Sequence, residues 1–173
     1  MDKIKRRFLT RSIEVAVIGL ENSGKTTLCN QLCLNQGGNP TPTIGLNVRV
    51  VKKNRVTFKI WDIGGQQNYH CQWQKYCEGA DVILVVVDVH DASKVPTLKR
   101  VLHQVLDFEG IRSIPILVLA NKIDLGASIT EVELIQGLNL DYITEQAWMV
   151  QPISAKLGTN IEHAVDFLIQ NSH

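Results

Sequence analysis

The feature that most constrains the fold is a glycine-rich stretch near the start of the chain. It reads Gly19-Leu20-Glu21-Asn22-Ser23-Gly24-Lys25-Thr26, and it follows a short apolar run at 13–18 that is typical of a buried strand. Residues 27–34, which come next, have the pattern of a helix. A strand that turns directly into a helix in this way creates a phosphate site, because the first backbone N–H groups of the helix have no partner within it. The stretch matches the P-loop pattern completely.

The P-loop pattern assigns roles to single residues. Lys25 can reach the β- and γ-phosphate oxygens of a nucleotide, and Thr26 offers a hydroxyl to Mg²⁺. Gly19 and Gly24 allow the loop to curl without Cβ clashes. The predicted nucleotide contacts of this loop are Glu21, Asn22, Ser23, Gly24, Lys25, Thr26 and Thr27. The alternative, an ordinary glycine-rich turn with an unrelated lysine, leaves the complete match unexplained.

Composition limits the class of protein. With 173 residues, of which 45% are hydrophobic and 20% charged, the chain fits one compact domain, and we expect a monomer. The net charge of +1 lacks the basic excess of a nucleic-acid-binding protein. No apolar run reaches the roughly 18 residues of a membrane span. We expect no secretory leader, and therefore reduced thiols. The four cysteines lack the CxxC spacing typical of zinc sites, so we do not expect them to bind metal.

Strand and helix patterns alternate along the rest of the chain. Strands are predicted at 13–18, 48–51, 56–62, 80–88, 114–120 and 148–153, and helices at 27–34, 92–108, 131–138 and 161–169. A turn signal at 52–55 predicts that the second and third strands form a hairpin. The expected fold is α/β, a six-stranded mostly parallel sheet with one antiparallel hairpin strand and helices on both faces. The chain divides into a basic tail, 1–12, and a P-loop NTPase domain, 13–173.

Polar groups at the strand ends extend the P-loop site, since ligands of open α/β sheets bind at the carboxyl ends of the strands. After strand 56–62, we expect Asp62 to hold Mg²⁺ through a water and Gly65 to offer its backbone N–H to the γ-phosphate. Gln66 can orient a water for in-line attack. In the proline-containing loop 39–47, Thr43 is the candidate for a second hydroxyl on Mg²⁺, which would order this loop only while a γ-phosphate is present. The predicted catalytic residues are Gln66, Lys25 and Thr43.

A second motif, Asn121-Lys122-Ile123-Asp124, follows strand 114–120 and predicts the base. The Asp124 carboxylate can accept hydrogen bonds from N1–H and the 2-amino group of guanine at once, whereas adenine has no such amine and presents a lone pair at N1. This mismatch is worth on the order of a hundredfold in affinity. We expect Lys122 to lie along the base or ribose and Asn121 to tie the loop to the P-loop. Ser154-Ala155-Lys156, after the last strand, places the Ala155 N–H where it can meet the guanine O6.

The first eleven residues are strongly basic. Lys3, Lys5, Arg6, Arg7 and Arg11 stand against the single acidic residue Asp2, and Met1, Ile4 and Phe8 would line one face of a helix. Such a segment can lie on an anionic membrane surface, with an affinity near the millimolar range from charge alone. A frayed, solubilising terminus is the other interpretation, and both stay open. Asp2 excludes N-myristoylation of this end, and the last three residues are no prenylation signal.

Four motifs together resemble the ADP-ribosylation factor (Arf) family of small GTPases. They are Gly-Leu-Glu-Asn-Ser-Gly-Lys-Thr-Thr at 19–27, Pro-Thr-Ile-Gly-Leu-Asn at 42–47, Trp-Asp-Ile-Gly-Gly-Gln at 61–66 and Asn-Lys-Ile-Asp at 121–124. The resemblance extends over 13–170, and stretches at 59–66, 73–77, 139–140 and 168–172 are most similar to the lysosome-associated Arf-like branch. It implies a small GTPase (G) domain that converts GTP to GDP and phosphate with Mg²⁺. It also implies a cytoplasmic protein of membrane traffic or organelle positioning that associates reversibly with organelle membranes, lysosomal or late endosomal.

The resemblance also implies partners. An exchange factor, a GTPase-activating protein and effectors would bind the switch loops and an aromatic triad, of which Trp61 and Tyr76 are present while Leu46 stands where phenylalanine is usual. A hairpin at about 46–62 would slide in register when GTP replaces GDP and displace the N-terminal segment onto a membrane. The tail of this chain is shorter than the N-terminal helix of the family.

The positions of the arginines predict slow hydrolysis. There is no arginine between Arg11 and Arg49, so none lies just upstream of Thr43 to stabilise the transition state in cis. An arginine supplied by a partner is worth about 10³–10⁵ in rate, and we therefore expect dependence on an activating protein. Two other functions stay open. A GTP-binding scaffold would not need Gln66, and a small-molecule or nucleoside kinase would have no use for the motif at 121–124.

Overall fold

The computed structural model describes residues 11–34, 40–53 and 55–171. Its strands are β1 (Arg11–Ile18), β2 (Leu46–Lys53), β3 (Val56–Ile63), β4 (Val82–Asp88), β5 (Ile116–Asn121) and β6 (Trp148–Pro152). Its α-helices are α1 (Lys25–Leu34), α2 (His70–Cys77), α3 (Val95–Leu106), α4 (Glu131–Leu138) and α5 (Ile161–Asn171). The predictions made for residues 1–10 lie outside the described residues.

The strands form one sheet in the order β2-β3-β1-β4-β5-β6. β1 pairs in parallel with β3 and β4, and β5 in parallel with β4 and β6, while β2 runs antiparallel to β3. This is the predicted α/β architecture with its single antiparallel hairpin strand. Because β1, β3, β4, β5 and β6 all run the same way, their carboxyl ends meet at one edge of the sheet, where a ligand site is expected.

Side chains alternate between the two faces of the sheet and build two cores. In β1, Ile13, Val15 and Val17 face the core made with α1 and α5, while Ala16 and Ile18 face the core made with α2, α3 and α4. All seven residues of β4 are buried, as its apolar sequence predicts for a strand covered on both faces. Helices therefore cover both faces, which holds the central strand ends rigidly in place.

β1 and β2 are longer than predicted for a common reason, whereas β4, β5 and α3 begin two or three residues later than predicted. β1 begins at Arg11 because that residue pairs with Val56 of β3, although its side chain is exposed. β2 extends from Leu46 to Lys53 because it pairs with β3 along its whole length, whereas the hydrophobic pattern marks only the middle of the strand. Backbone pairing thus extends both strands beyond the residues marked by the hydrophobic pattern. α4 has the predicted bounds, and a capping box between Thr130 and Glu133 defines its start.

Helix α2 was not predicted from the sequence. Four of its eight residues, His70 to Cys77, are polar, and only Trp73 and Cys77 are buried. These two residues are one helical turn apart, so they anchor the helix without producing a recognisable apolar stripe.

The four cysteines lie on helices on opposite faces of the sheet. Cys71 and Cys77 lie on α2, and Cys29 and Cys33 lie on α1. All four are free thiols.

Among the described residues, no helix combines the length and apolar character that crossing a membrane requires.

Candidate functional site

The P-loop connects the end of β1 to α1 with the geometry that its glycines allow. Gly19 has φ +145°, and a Cβ there would lie 2.3 Å from the carbonyl oxygen of Val86. Gly24 has φ +97°, and a Cβ there would lie 2.3 Å from Nδ2 of Asn121. Both positions therefore require glycine for conformation and for space. α1 begins at Lys25, two residues earlier than predicted, so the loop leads directly into the free N–H groups of the first helical turn.

Lys25 lies beneath this loop as a buried cation. Its Nζ donates to the carbonyl oxygens of Gly19 at 2.8 Å and Leu20 at 2.9 Å. Burial lowers the pKa of Lys25 to about 8, although the negative charge of Asp62 acts in the opposite direction. A polyphosphate beside Nζ would offset this cost of burial, because an anion favours the charged lysine. The site therefore fits an anionic ligand.

Three oxygen-bearing side chains meet next to Lys25. Oγ1 of Thr26 and Oγ1 of Thr43 lie 2.7 Å apart, and Thr43 donates to Oδ2 of Asp62 at 3.3 Å. Asp62 is fully buried, and within the described part of the chain its Oδ1 has no hydrogen-bond partner. Burial raises the pKa of Asp62, against the opposing effects of Thr26 and Lys25. Two hydroxyls and an unpaired buried carboxylate oxygen are ligands that suit a hard cation such as Mg²⁺.

The loop after β3 approaches the P-loop closely. A Cβ on Gly65 would lie 2.3 Å from Nζ of Lys25 and 2.6 Å from the backbone nitrogen of Glu21. Glycine is thus required here for close approach of the two loops. Gln66, the next residue, is exposed and lines the same cleft as Lys25. The structure brings together all the residues for which phosphate and metal roles are predicted.

The other end of the cleft is built from the ends of β5 and β6. Asn121 lies at its centre, since its Nδ2 donates to the Ser23 carbonyl at 2.8 Å and its Oδ1 accepts from the Ala155 N–H at 2.9 Å. Asn121 thus ties the loop after β5 to the P-loop. Ser154 Oγ donates to Oδ1 of Asp124 at 2.6 Å, which orients that carboxylate at the cleft. The Ala155 N–H, predicted to meet the guanine O6, is directed to Asn121 in this structure.

Lys122 is held by a residue that the sequence analysis did not identify. Its Nζ lies 2.7 Å from Oδ2 of Asp88, a buried carboxylate at the end of β4, and its backbone is left-handed with φ 72°. Oδ1 of Asp88 accepts from the His90 N–H at 3.0 Å. This ion pair fixes the lysine stem along the floor of the cleft. The rule that ligands lie at carboxyl ends of strands would have pointed to Asp88.

A cleft of about 680 Å³ joins both ends. It is lined by Glu21, Asn22, Gly24, Lys25, Thr26, Thr27, Thr43, Gly65, Gln66, Asn121, Lys122, Asp124, Ala155 and Lys156, all of them predicted site residues. Ser23, Asp62 and Ser154 are buried behind its wall. Residues that line the cleft without having been predicted are Pro40, Thr41, Pro42, Lys94 and Leu125. Pro40, Thr41 and Pro42 could have been predicted from the sequence, because they belong to the loop 39–47 that is expected to close over the nucleotide.

Fold and site together define a P-loop nucleotide-binding protein of the small G domain class. The model of the ADP-ribosylation factor family matches residues 1–172. ADP-ribosylation factor-like protein 8c of Arabidopsis thaliana is 36% identical over 172 residues, which cover 98% of this chain and 92% of that protein. Among solved structures, the Arl6/BBS3 small GTPase of Trypanosoma brucei with the bound nucleotide analogue GppNp is similar, with a TM-score of 0.84 and 29% identity over 92% of this chain and 96% of that one.

The chain belongs to the ADP-ribosylation factor family and is an Arf-like small GTPase. The family assignment made from the motifs is therefore confirmed. Members of this family bind guanine nucleotides and hydrolyse GTP, and these are therefore the activities of the chain.

Proposed function

We propose that the protein is a Mg²⁺-dependent GTP/GDP switch that hydrolyses GTP slowly, depends on an activating protein and recruits effectors in vesicle or organelle traffic. The observation that carries this proposal is one continuous cleft with a buried lysine at one end and an oriented carboxylate, Asp124, at the other. A ligand that satisfies both ends has a polyphosphate and a base with adjacent N–H donors. GTP has both features.

In this proposal Thr26 and Thr43 bind Mg²⁺ through their hydroxyls and Asp62 holds it through a water. When bound, the ion neutralises negative charge on the β- and γ-phosphate oxygens. Lys25 binds the same oxygens, and the Gly65 N–H meets the γ-phosphate. Gln66, exposed beside them, orients the attacking water. Loss of the γ-phosphate removes the contact that keeps Thr43 in place, which is the basis of switching.

Calorimetry with GTP and ATP in the presence of Mg²⁺ tests the proposal. We expect GTP to bind at micromolar concentration or tighter, and ATP to bind on the order of a hundredfold more weakly because it leaves the Asp124 carboxylate unpaired. Equal affinities for the two nucleotides, or binding of neither, would contradict it. Addition of excess EDTA is expected to weaken GTP binding, since the Asp62 carboxylate and the phosphates would then face each other without the cation.

Hydrolysis without a partner is expected to be slow, because the sequence has no arginine between Arg11 and Arg49 and therefore none just upstream of Thr43 that could enter the cleft. In single-turnover assays we predict a rate constant well below about 1 s⁻¹. Gln66→Leu should lower it further while leaving GTP affinity within about twofold, because the side chain acts on the water and not on the nucleotide. Gln67→Leu, at the exposed neighbouring amide, is the matched control. Equal rates in wild type and Gln66→Leu, even with candidate activators, would favour the GTP-binding scaffold instead.

The proposed effector surface is the outer face of β2 and β3 next to α2. Rings of Trp61 and Tyr76 stack with their centroids 5.6 Å apart, and both pack with Leu46 against the edge of the core. The Trp61 indole donates to Oε2 of Glu14 at 3.0 Å, and Lys59 Nζ lies 4.3 Å above its ring. An apolar patch rimmed by charges is typical of a protein-binding surface.

Effector capture tests this surface. Proteins retained by Gln66→Leu loaded with GTP, and absent with GDP, are the candidate effectors. Adding Trp61→Ala to that variant should abolish their retention, whereas Tyr142→Ala, which removes an aromatic ring 81% exposed elsewhere, should not. Retention that is unaffected by Trp61→Ala would place the effector site elsewhere on the molecule.

Membrane contact through residues 1–11 is also part of the proposal, at lysosomes or late endosomes as the resemblance implies. Arg11, the first described residue, pairs with Val56 at the basic end of the β2–β3 hairpin. Lys52, Lys53 and Arg55 lie at this end, away from the nucleotide cleft. Tail and hairpin can therefore face the same anionic surface.

Neutralising the hairpin end tests the membrane contact. The double variant Lys52→Ala/Lys53→Ala should weaken affinity for phosphatidylserine-containing vesicles, measured by sedimentation, about thirtyfold, since each of the two basic residues near the surface is worth about 1 kcal/mol. The control Lys99→Ala/Arg100→Ala removes the same charge from α3 and should have little effect. Equal losses in both doubles would indicate nonspecific attraction and no oriented contact.

A further inference from the structure

Helix α2 begins with His70, four residues after Gln66, and its imidazole contacts the catalytic loop. Nε2 of His70 lies 3.0 Å from the carbonyl oxygen of Gly65. A carbonyl oxygen can only accept, so Nε2 carries the proton and donates it. The ring is half-buried and packs against the fully buried Trp73 with ring centroids 4.6 Å apart, which restricts where the imidazole can point.

The contact belongs to a set of three that hold the loop after β3. The Trp73 indole donates to the Gly64 carbonyl at 3.1 Å, His70 donates to the Gly65 carbonyl, and the backbone N–H of Tyr69 donates to the Gln66 carbonyl at 2.9 Å. Three successive carbonyls are thus bonded by donors within residues 69–73. α2 and the turn before it therefore fix the orientation of three successive peptide planes.

The first two of these planes carry different functional groups. The Gly64 carbonyl shares its plane with the Gly65 N–H, which we assign to the γ-phosphate, and Trp73 orients that plane. The Gly65 carbonyl shares its plane with the backbone nitrogen of Gln66, so its orientation sets the direction in which the Gln66 side chain leaves the loop. Gln66 itself has an extended backbone, with φ −70° and ψ 152°. His70 is the side chain that orients the second plane.

The geometry points to His70 as a positioning residue for GTP hydrolysis, which acts by holding the Gly65–Gln66 peptide so that the Gln66 amide faces the attacking water. This inference rests on the proposed role of Gln66. It assigns His70 to the hydrolytic step and leaves nucleotide affinity to other residues, because the plane that carries the Gly65 N–H is held separately by Trp73. Loss of the His70 hydrogen bond should therefore lower the rate and spare binding.

Three substitutions separate the hydrogen bond from the packing. His70→Phe keeps a ring against Trp73 and removes the donor, while His70→Gln keeps an amide donor of similar reach. His70→Met matches His70→Gln in length and has no donor. We expect the single-turnover rate of GTP hydrolysis to fall about fivefold in the Phe and Met variants and to stay within about twofold of wild type in the Gln variant. The dissociation constants for GDP and for a non-hydrolysable GTP analogue should change less than about twofold in all three.

A double-mutant cycle shows whether His70 acts through Gln66. In the Gln66→Leu background, His70→Phe should have no further effect on the rate, because the group that it positions is gone. Equal rates in wild type, His70→Phe and His70→Met would overturn the inference, as would a loss in His70→Gln as large as in His70→Met. Weakened binding of both nucleotides in His70→Phe and His70→Met would overturn it too, since the residue would then support the whole site.

A second measurement does not depend on turnover. With the GTP analogue bound, the backbone amide resonances of Gly65 and Gln66 should be single and sharp in wild type and His70→Gln, and the Gln66 resonance should broaden or double in His70→Phe and His70→Met. Unchanged spectra would overturn the inference even where hydrolysis is very slow. Failure of the proposed function looks different: Gln66→Leu would then hydrolyse GTP as fast as wild type, or the wild type would bind no guanine nucleotide.

Discussion

Asp124→Asn is expected to weaken GTP binding on the order of a hundredfold or more and to create affinity for xanthosine triphosphate. The Asp124 carboxylate can only accept hydrogen bonds, which suits the N1–H and 2-amino donors of guanine. An Asn side chain at this position presents one acceptor and one donor, and xanthine, with N1–H and a 2-oxo group, pairs with both. The Ser154 hydroxyl, which donates to Oδ1 of Asp124 at 2.6 Å, can hold the amide oxygen in the same way.

Calorimetry with both nucleotides measures the change in preference. Asp141→Asn, at an exposed carboxylate on the short turn after α4, removes the same charge and should leave both affinities unchanged. If Asp124→Asn weakened GTP without improving xanthosine triphosphate, the loss would reflect damage to the loop. If it changed neither, the base would lie elsewhere and the guanine assignment would be wrong.

Gly65→Ala should lower affinity for GTP about ten- to a hundredfold, which is the range expected for loss of a hydrogen bond to a charged group. Affinity for GDP should be nearly unaffected. The added Cβ would lie 2.6 Å from the backbone nitrogen of Glu21 and 2.3 Å from Nζ of Lys25. Backbone cannot yield as a flexible side chain can, so the loop must withdraw from the P-loop. Its N–H then no longer reaches the γ-phosphate, which only GTP carries.

The matched control is Gly79→Ala. A Cβ at that position meets nothing within 4 Å, so it tests the effect of a methyl group alone. Competition between GDP and a non-hydrolysable GTP analogue for a fluorescent nucleotide gives the ratio of the two affinities. Equal losses for GDP and the analogue would mean that Gly65 supports the site as a whole and has no selective contact with the γ-phosphate.

The sequence predicted the class of fold and the cleft because both depend on short-range signals. Buried strands such as β4 are continuous apolar runs, and the P-loop and the motif at 121–124 each place their functional groups within a few residues. Topology then follows from the alternation of strands and helices, which leaves few arrangements. The parallel sheet in turn brings the distant motifs to one edge.

Contacts that depend on two distant segments were not predictable in the same way. In helix α2 only Trp73 and Cys77 are buried, so its sequence shows no continuous apolar stripe. Asp88 pairs with Lys122 across 34 positions of sequence, and His70 reaches Gly65 only because α2 folds back on its loop. The length of β2 depends on pairing with β3 and not on burial. In each case the deciding interaction involves a partner that the local pattern does not contain.

The Asn121 amide has a consequence for how the nucleotide is gained and lost. It joins the Ser23 carbonyl to the Ala155 N–H, so the P-loop and the loop after β6 are mechanically linked. In the proposed function, guanosine and triphosphate offered as separate molecules would each contact one end of this linkage, whereas GTP contacts both ends at once. Because of this linkage, we expect a partner that displaces the P-loop also to weaken binding of the base. Contact at one place on the molecule would then be enough to release the whole nucleotide.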